Sequence, residues 1–295
     1  MNTNMETEYS TYLQQLSENG YCIIPNILSK DEIQKAKDMF YAWKETIPNH
    51  DFIHRTCDPH GIYKFHEVGH QRHAWYIRTR PKVQSAFKRI WKTDKLICSF
   101  DGSCYISKDN KQKDKYWIHT DQAPNTDGFQ CVQGFVSLTD NSERTLVVYD
   151  KSHSFHRTYF DEKNIKSSKN WTLIDTDTLE NMKSQRRVLN VPAGSLVLWD
   201  SRTFHSNRFG LPNSEERIVQ YVCYLPKSHP KNTPAMIKKR RKYFEERRTT
   251  SHWPTPIRVN GLQPRTFGDS SRNIDYSSLS VPNLEDMREN IEELL

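Results

Sequence analysis

Apolar residues recur at helical spacing in one early stretch of this chain, and in short β-prone bursts after it. Ile33, Ala36, Met39, Phe40 and Trp43 follow at intervals of three and four residues or close to it, giving one apolar helix face. Ser29, with Glu32 three residues later, forms a capping box that fixes the start of this helix, and the pattern carries it to about Lys44. A helix is also expected over residues 7 to 18, stopped by Asn19-Gly20, and Tyr21 to Ile24 reads as a short strand closed by Pro25.

From Leu96 the texture changes. The β-prone runs are Leu96 to Ile106, Phe129 to Leu138, Thr145 to Tyr149, Trp171 to Ile174, Arg187 to Val191, Ser195 to Trp199 and Arg217 to Leu225. Short strands at this spacing predict an antiparallel sandwich or barrel, not βαβ units. Asn141 and Ala193-Gly194 supply turns. The polar stretch Asp161 to Lys183 reads as an excursion between strands, and the segment IKKRRKYFEERR as a basic helix. The tail from Pro254 reads as a surface wrap with little secondary structure. There is no internal repeat and no Gly-rich phosphate loop.

Length and composition refine this picture only modestly. With 295 residues, 35% of them hydrophobic, the chain has material for one substantial core. A formal charge of +7 favours anionic partners without choosing among them. The six cysteines form no CxxC knuckle, and several sit in apolar runs as reduced core thiols would. The N-terminus lacks the basic and apolar regions of a signal peptide, and no run reaches the roughly 18 apolar residues of a membrane-spanning helix. A cytoplasmic protein without membrane insertion is the expectation; oligomeric state is left open.

Two segments offer metal chemistry. His66-Glu67-Val68-Gly69-His70 matches H-E-x-x-H, which on a helix would make a zinc metallopeptidase site with Glu67 as general base. Gly69 weakens the helix that this needs, and no further ligand follows at the extended spacing. In WIHTDQ, by contrast, His119 and Asp121 are two residues apart, so on a strand an imidazole and a carboxylate emerge on one side. His205, after the strand Ser195 to Trp199, supplies a second histidine. Two histidines and one carboxylate leave open positions on octahedral iron, as an O2-using Fe(II) centre requires. A hairpin symmetric about Leu211 would set Arg217 across from His205, where its guanidinium could grip a carboxylate in a bidentate fork. Trp117, Phe135 and Phe204 are candidate apolar walls.

With these residues in place the chain resembles the phytanoyl-CoA dioxygenase family of Fe(II)- and 2-oxoglutarate-dependent oxygenases. The likeness runs from about Asn19 to Tyr224, through NGYCIIPNILSKDEI, the HTD triplet, FVSLTDNSERTLVVYDKSH, GSLVLWDSRTFHSN and the arginine of EERIVQY. It implies a mainly β fold with flanking helices, a double-stranded β-helix (jelly roll, cupin-like). The expected layout is one domain, residues 1–295, with N-terminal helices over about 7–95, a jelly-roll core over about 96–225 and a basic extension over about 226–295. It implies iron on His119, Asp121 and His205, and 2-oxoglutarate held by Arg217, with Arg208 as the alternative anchor. Thr203, Tyr105 and Gln133 are the positional candidates for further cosubstrate contacts. The reaction implied consumes O2 and 2-oxoglutarate, releases succinate and CO2, and hydroxylates a C–H bond of a small molecule.

The chain departs from the family pattern after its central strand, where Glu143-Arg144-Thr145-Leu146 and Asp150-Lys151-Ser152-His153 stand. The basic C-terminal region lies outside the pattern altogether. If it packs at the active-site mouth, Arg240, Arg241, Arg247, Arg248, His252 and Trp253 would bias the site toward an anionic substrate. The third reading is a non-catalytic nucleic-acid-binding protein built on an oxygenase-like shell, resting on Lys238, Lys239, Arg240, Arg241 and Lys242, followed by Arg247 and Arg248, with Tyr243 and Phe244 between them.

Overall fold

A computed structural model describes residues 3–48 and 59–295. In chain order the helices are α1 (Thr3–Asn19), α2 (Lys30–Lys44), α3 (Arg72–Arg78), α4 (Pro81–Trp91), α5 (Ser152–Glu162), α6 (Thr176–Asn181), α7 (Pro234–Glu245) and α8 (Arg288–Glu292). The strands are β1 (Tyr21–Ile24), β2 (Ile62–Tyr63), β3 (Leu96–Cys98), β4 (Ser103–Ile106), β5 (His119–Thr120), β6 (Val132–Ser137), β7 (Leu146–Tyr149), β8 (Thr172–Leu173), β9 (Arg186–Val188), β10 (Leu196–Asp200), β11 (His205–Asn207) and β12 (Arg217–Pro226).

The capping box forms as its sequence demands: Ser29 Oγ accepts from Glu32 N–H at 3.2 Å and Glu32 returns the bond to Ser29 N–H at 2.9 Å. The buried face of α2 carries Ala36, Phe40 and Trp43. Most strands overlap the β-prone runs, but β2 and the two histidine-bearing strands, β5 and β11, lie outside them. The run from Leu96 to Ile106 divides into β3 and β4, and Asp101 between them lines the cavity described below. The excursion from Asp161 to Lys183 contains β8 and α6, and β8 pairs with β5.

Every strand pairing is antiparallel. One sheet runs β1-β10-β6-β12-β4-β2, with β3 also on β12; the smaller runs β8-β5-β11-β7-β9. They pack face to face through Cys104, Ile106, Phe135, Val197, Trp199 and Val219 of the larger sheet against Leu146, Val148 and Leu189 of the smaller region. The larger sheet's other face, with Tyr105, Ile218 and Val222, buries Phe40, Trp75 and Phe87 of the helices. Among the described residues helix exceeds strand, so the expectation of a mainly β chain is corrected. The early helices and α5, which spans the Ser152-His153 departure, account for the surplus.

The tail is also more than a surface wrap. Met287, Ile291, Leu294 and Leu295 are buried in the same cluster as Phe87 and Tyr224, and Cys98 N–H bonds Leu294 O at 3.2 Å. All five described cysteines are buried and free; Cys57 lies outside the described residues. Among the described residues no helix is long and apolar enough to cross a membrane.

Candidate metal centre

His119 and His205 stand opposite one another in register on β5 and β11. Asp121 follows β5 and is held by its own N–H on Ser201 O at 3.0 Å, while Thr120 Oγ1 donates to the same carbonyl. The Asp121 carboxylate then lies between the imidazoles, Oδ2 at 3.1 Å from His205 Nε2 and Oδ1 at 3.6 Å from His119 Nε2. All three residues are buried, and their ligand atoms lie within 4.8 Å of one another. It is the one such group of three or more metal-ligating side chains among the described residues.

The backbone also sets the tautomers. His119 Nδ1 sits 2.8 Å from Trp117 O and His205 Nδ1 sits 2.8 Å from Thr203 O. A carbonyl only accepts, so each Nδ1 carries the proton and each Nε2 offers a lone pair to the centre of the cluster. Burial pushes the His119 imidazole down to about 4, which keeps it neutral and able to ligate. Burial opposes ionisation of Asp121. The neighbouring imidazoles of His252, His119 and His205 outweigh it and hold the carboxyl well below its usual range. Gln133 Nε2 donates to Asp121 Oδ2 at 3.0 Å from the facing sheet.

Arg217 is placed by a different route from the one expected, and it is not among the residues that line the cavity described below. Positions 205 and 217 do not form a hairpin: His205 pairs with β5 and β7, while Arg217 pairs with Ile106 on β4 in the other sheet. The connection is pinned as it crosses, because Glu215 Oε1 accepts from the N–H groups of Ser142, Glu143 and Arg144 at 2.7 to 2.9 Å. Along β12, Arg217, Val219 and Tyr221 share the face turned toward the smaller sheet. The Arg217 guanidinium is fully buried, 5.2 Å from the Phe135 ring centroid, and none of its three nitrogens has a hydrogen-bond partner. Arg208 is paired with Glu143 at 3.0 Å and Asp114 at 3.3 Å.

A cavity of about 210 Å³ opens over the metal cluster, walled by Trp117, Trp171 and Trp199, with Leu146, Asn207 and Tyr221 also contributing. Of the expected cosubstrate contacts, Gln133 lines it. Thr203 does not: its hydroxyl donates to Gly20 O at 2.8 Å, tying the turn after β10 to the start of β1. Tyr105 lies on the opposite face of β4, packed on Phe40 with Lys44 over its ring, because strand parity turns its neighbour Cys104 inward instead. Phe204 packs behind the smaller sheet with Tyr149 and Tyr159, and Phe135 lies beneath Arg217.

The H-E-x-x-H segment makes no metal site. His66 and Glu67 both have φ of 55° and only a short 3-10 turn follows, so the two histidines are not one helical turn apart. Glu67 is bound by Arg247 Nε at 2.7 Å, and His70 Nε2 faces Arg248 O at 3.0 Å. The basic C-terminal residues are likewise engaged. Arg240 is buried against Leu295 O, Asn232 and Pro254 O, Arg241 pairs with Glu292, and Arg248 pairs with Glu246. None of them lines the cavity, which corrects the expectation of a basic rim. The segment contributes Ser251, His252 and Asn260 instead. Trp253 packs against the cluster of Ile97 and Leu225.

Asp101, Asn207, Tyr221, Trp171 and Asn260 are cavity residues that the sequence reading passed over. Asn207 was within reach of it, being two residues beyond His205 on the same strand. Asp101 and Asn260 lie off the strands, where no periodicity marks them.

A model of the phytanoyl-CoA dioxygenase (PhyH) family matches residues 16–208. The chain belongs to that family of Fe(II)- and 2-oxoglutarate-dependent oxygenases. It is 24% identical over 270 residues to Ava biosynthesis cluster protein O of Aspergillus versicolor, covering 83% of this chain and 86% of that one. Among solved structures, HygX of Streptomyces hygroscopicus, crystallised with nickel and 2-oxoglutarate, matches with a TM-score of 0.53 and 12% identity, over 74% of this chain and 87% of that one. The GlcNAc-inducible gene 2 protein of Candida albicans matches with a TM-score of 0.64 and 12% identity, over 95% of this chain and 75% of that one. At these identities the structural likeness speaks for the fold: the two-sheet, cupin-like oxygenase architecture with flanking helices.

Proposed function

We propose that this oxygenase binds Fe(II) through His119, Asp121 and His205, binds 2-oxoglutarate through Arg217, and hydroxylates a C–H bond of a small molecule. The observation that carries the cosubstrate assignment is the Arg217 guanidinium, buried without a hydrogen bond on the face that Tyr221 shares with the cavity. A buried cation left so is costly, and a carboxylate in a bidentate fork would satisfy it. Arg208 has its carboxylates already. The donor set of two neutral imidazoles and one carboxylate suits Fe(II).

When bound, iron and 2-oxoglutarate supply the oxidising chemistry, one oxygen atom of O2 entering succinate and the other the product alcohol as CO2 leaves. The chain supplies position and dryness. Trp117 O and Thr203 O fix the histidine tautomers, and Gln133 orients Asp121 so that its second oxygen stays available. Phe135 gives the Arg217 guanidinium an aromatic face to lie on. Trp117, Trp171 and Trp199 keep bulk water from the reacting carbon.

The two sheets are taken as the halves of a double-stranded β-helix, and residues 1–295 as one oxygenase domain. Burial of the C-terminal Ile291 and Leu294 in the main core supports the second of these. Succinate formation from 2-oxoglutarate, measured with Fe(II) and O2 across a panel of small molecules, tests the function. Failure of the iron-loaded protein to bind 2-oxoglutarate anaerobically would overturn it.

A further inference from the structure

The C-terminal strap that crosses the cavity lies beyond the part of the chain matched by the family model, and it is built in firmly. Thr250 N–H bonds Phe100 O at 2.9 Å, and Phe100 N–H bonds Thr250 Oγ1 at 3.0 Å. Gly69 N–H donates to Thr249 Oγ1 at 3.1 Å, and Ser251 N–H to Arg258 O at 2.8 Å. Asn260 closes the loop, its N–H on Thr249 O and its side-chain amide on Thr250 O. Pairing Phe100 with Thr250 brings the next residues of both segments, Asp101 and Ser251, into the same cavity wall, with His252 beside them.

Two of these partly buried residues have hydrogen-bonding capacity that the chain leaves unfilled. Asp101 accepts one hydrogen bond, from Gly102 N–H at 2.7 Å, and no cation among the described residues lies within 4.0 Å of its carboxylate. The nearby Arg78 spends its guanidinium on main-chain oxygens, those of Gly69 and Asp101, at 2.6 Å each. His252 Nε2 is shut off from solvent and has no hydrogen-bond partner. No lysine or arginine is found among the cavity-lining residues, and Trp171 offers a flat apolar wall, whereas the Trp117 ring is already stacked on His60 and His119.

Asp101 is also well separated from the arginine assigned to 2-oxoglutarate. Tyr221 N–H bonds Gly102 O, whereas Arg217 stands opposite Ile106 on the same strand pair. Four residues of strand divide those two rungs, on the order of 13 Å.

We propose that Asp101 and His252 form the substrate-recognition wall of this oxygenase, and that they select a small aromatic or flat molecule bearing an amine, or failing that a hydroxyl, over one bearing a carboxylate. The proposal rests on the oxygenase reading given above. An ammonium group would supply Asp101 with its missing counter-ion, and a hydroxyl would give His252 Nε2 a partner. Burial pushes the Asp101 carboxyl up to about 7, and an ammonium group beside it would draw it back down. The cavity of about 210 Å³ lies below the roughly 300 to 1,000 Å³ of sites that enclose a whole ligand, so the reacting end of the substrate enters and the remainder sits at the mouth.

The test uses the full chain loaded anaerobically with Fe(II) and 2-oxoglutarate, titrated with tryptamine, tryptophol and indole-3-propionate. These share one ring and differ in the terminal group. Binding is read by calorimetry and by quenching of tryptophan fluorescence. Tryptamine should bind about tenfold or more tighter than indole-3-propionate, the equilibrium effect of one charge-assisted hydrogen bond. Asp101→Asn keeps the acceptor for Gly102 N–H. It should erase this preference while leaving 2-oxoglutarate affinity within about twofold, a change too small for one lost hydrogen bond. His252→Ala should weaken tryptophol severalfold. Equal binding of amine and acid, binding of none of the three, or a preference that survives Asp101→Asn overturns the proposal. Loss of 2-oxoglutarate binding by the unsubstituted protein instead overturns the functional reading beneath it.

Discussion

Gln133 and Asp121 come from opposite sheets and meet in a hydrogen bond of 3.0 Å, so the metal cluster depends on how the two sheets are packed. Gln133→Leu removes the donor and keeps the volume. Because partners that orient a ligating carboxylate are typically worth 10- to 100-fold in metal affinity, Fe(II) affinity should fall by about that factor with little change in fold. Metal titration monitored by calorimetry checks this, and an affinity unchanged within threefold would count against the positioning role.

Substitutions among the three ligands should be far more severe. Asp121→Ala leaves two imidazoles and no charge to hold the cation, so metal content after dialysis should drop to background and succinate formation with it. Full iron occupancy of this variant, measured by elemental analysis, would mean that the metal sits elsewhere.

Arg217 offers a prediction with two opposite signs. Arg217→Met removes a buried charge that has no hydrogen-bond partner, so the protein without cosubstrate should become more stable, by about 1 to 4 kcal/mol. The same change removes the carboxylate fork, and 2-oxoglutarate affinity should fall by at least about tenfold, the loss of a charged hydrogen bond. Thermal melts with and without 2-oxoglutarate and Fe(II) read both effects from one sample. A variant that lost stability while keeping cosubstrate affinity would contradict the assignment.

The ligand set was legible in the sequence because strand periodicity is local: an imidazole and a carboxylate two residues apart need only a short extended segment to converge. The capping box at Ser29 was legible for the same reason. What failed was long-range pairing. The segment around Leu211 reads as a hairpin, yet Glu215 binds three N–H groups of the 142–144 turn and carries the chain across to the other sheet. Tyr105 is a candidate for the site only by its position in the family resemblance. Its face is fixed by register against Ile218, which no local pattern reveals. The strap residues His252 and Asn260 reach the cavity through the pairing of Thr250 with Phe100, across about 150 residues of sequence.

Acid should destabilise the fold at pH values where ordinary carboxylates are still ionised. Burial pushes His73 from 6.5 down to about 3, and its Nε2 is already engaged with Ser103 Oγ at 3.0 Å. The folded state therefore keeps this imidazole neutral while the unfolded chain takes up a proton. Stability is full above pH 6.5 and declines as pH falls from 6.5 toward 3, by up to about 1.4 kcal/mol per pH unit for this group. His73→Gln should be less stable at pH 7 and show a shallower decline between pH 6.5 and 4. Urea midpoints across that range decide it, and parallel slopes for the two proteins would sink the assignment.

The last prediction concerns Gly69, which lies where the chain has no room for a side chain. A Cβ there would stand 2.1 Å from Phe100 O and 2.9 Å from its carbonyl carbon, backbone atoms held by the Thr250 pairing. Gly69→Ala must push Phe100 outward, and with it both Asp101 and the strap. Overpacking of this kind costs about 1 to 3 kcal/mol and sometimes more. Gly261 is the control: its φ of 98° makes alanine strained there, but nothing lies within 4 Å of the added carbon. Gly261→Ala should therefore cost about 1 to 2 kcal/mol of backbone strain and leave the cavity intact. Melting temperature and tryptamine binding, measured together, separate the two. Gly69→Ala should lower both, whereas Gly261→Ala should lower only the first. A Gly69→Ala protein that kept wild-type amine binding would show that Phe100 does not hold Asp101 in place.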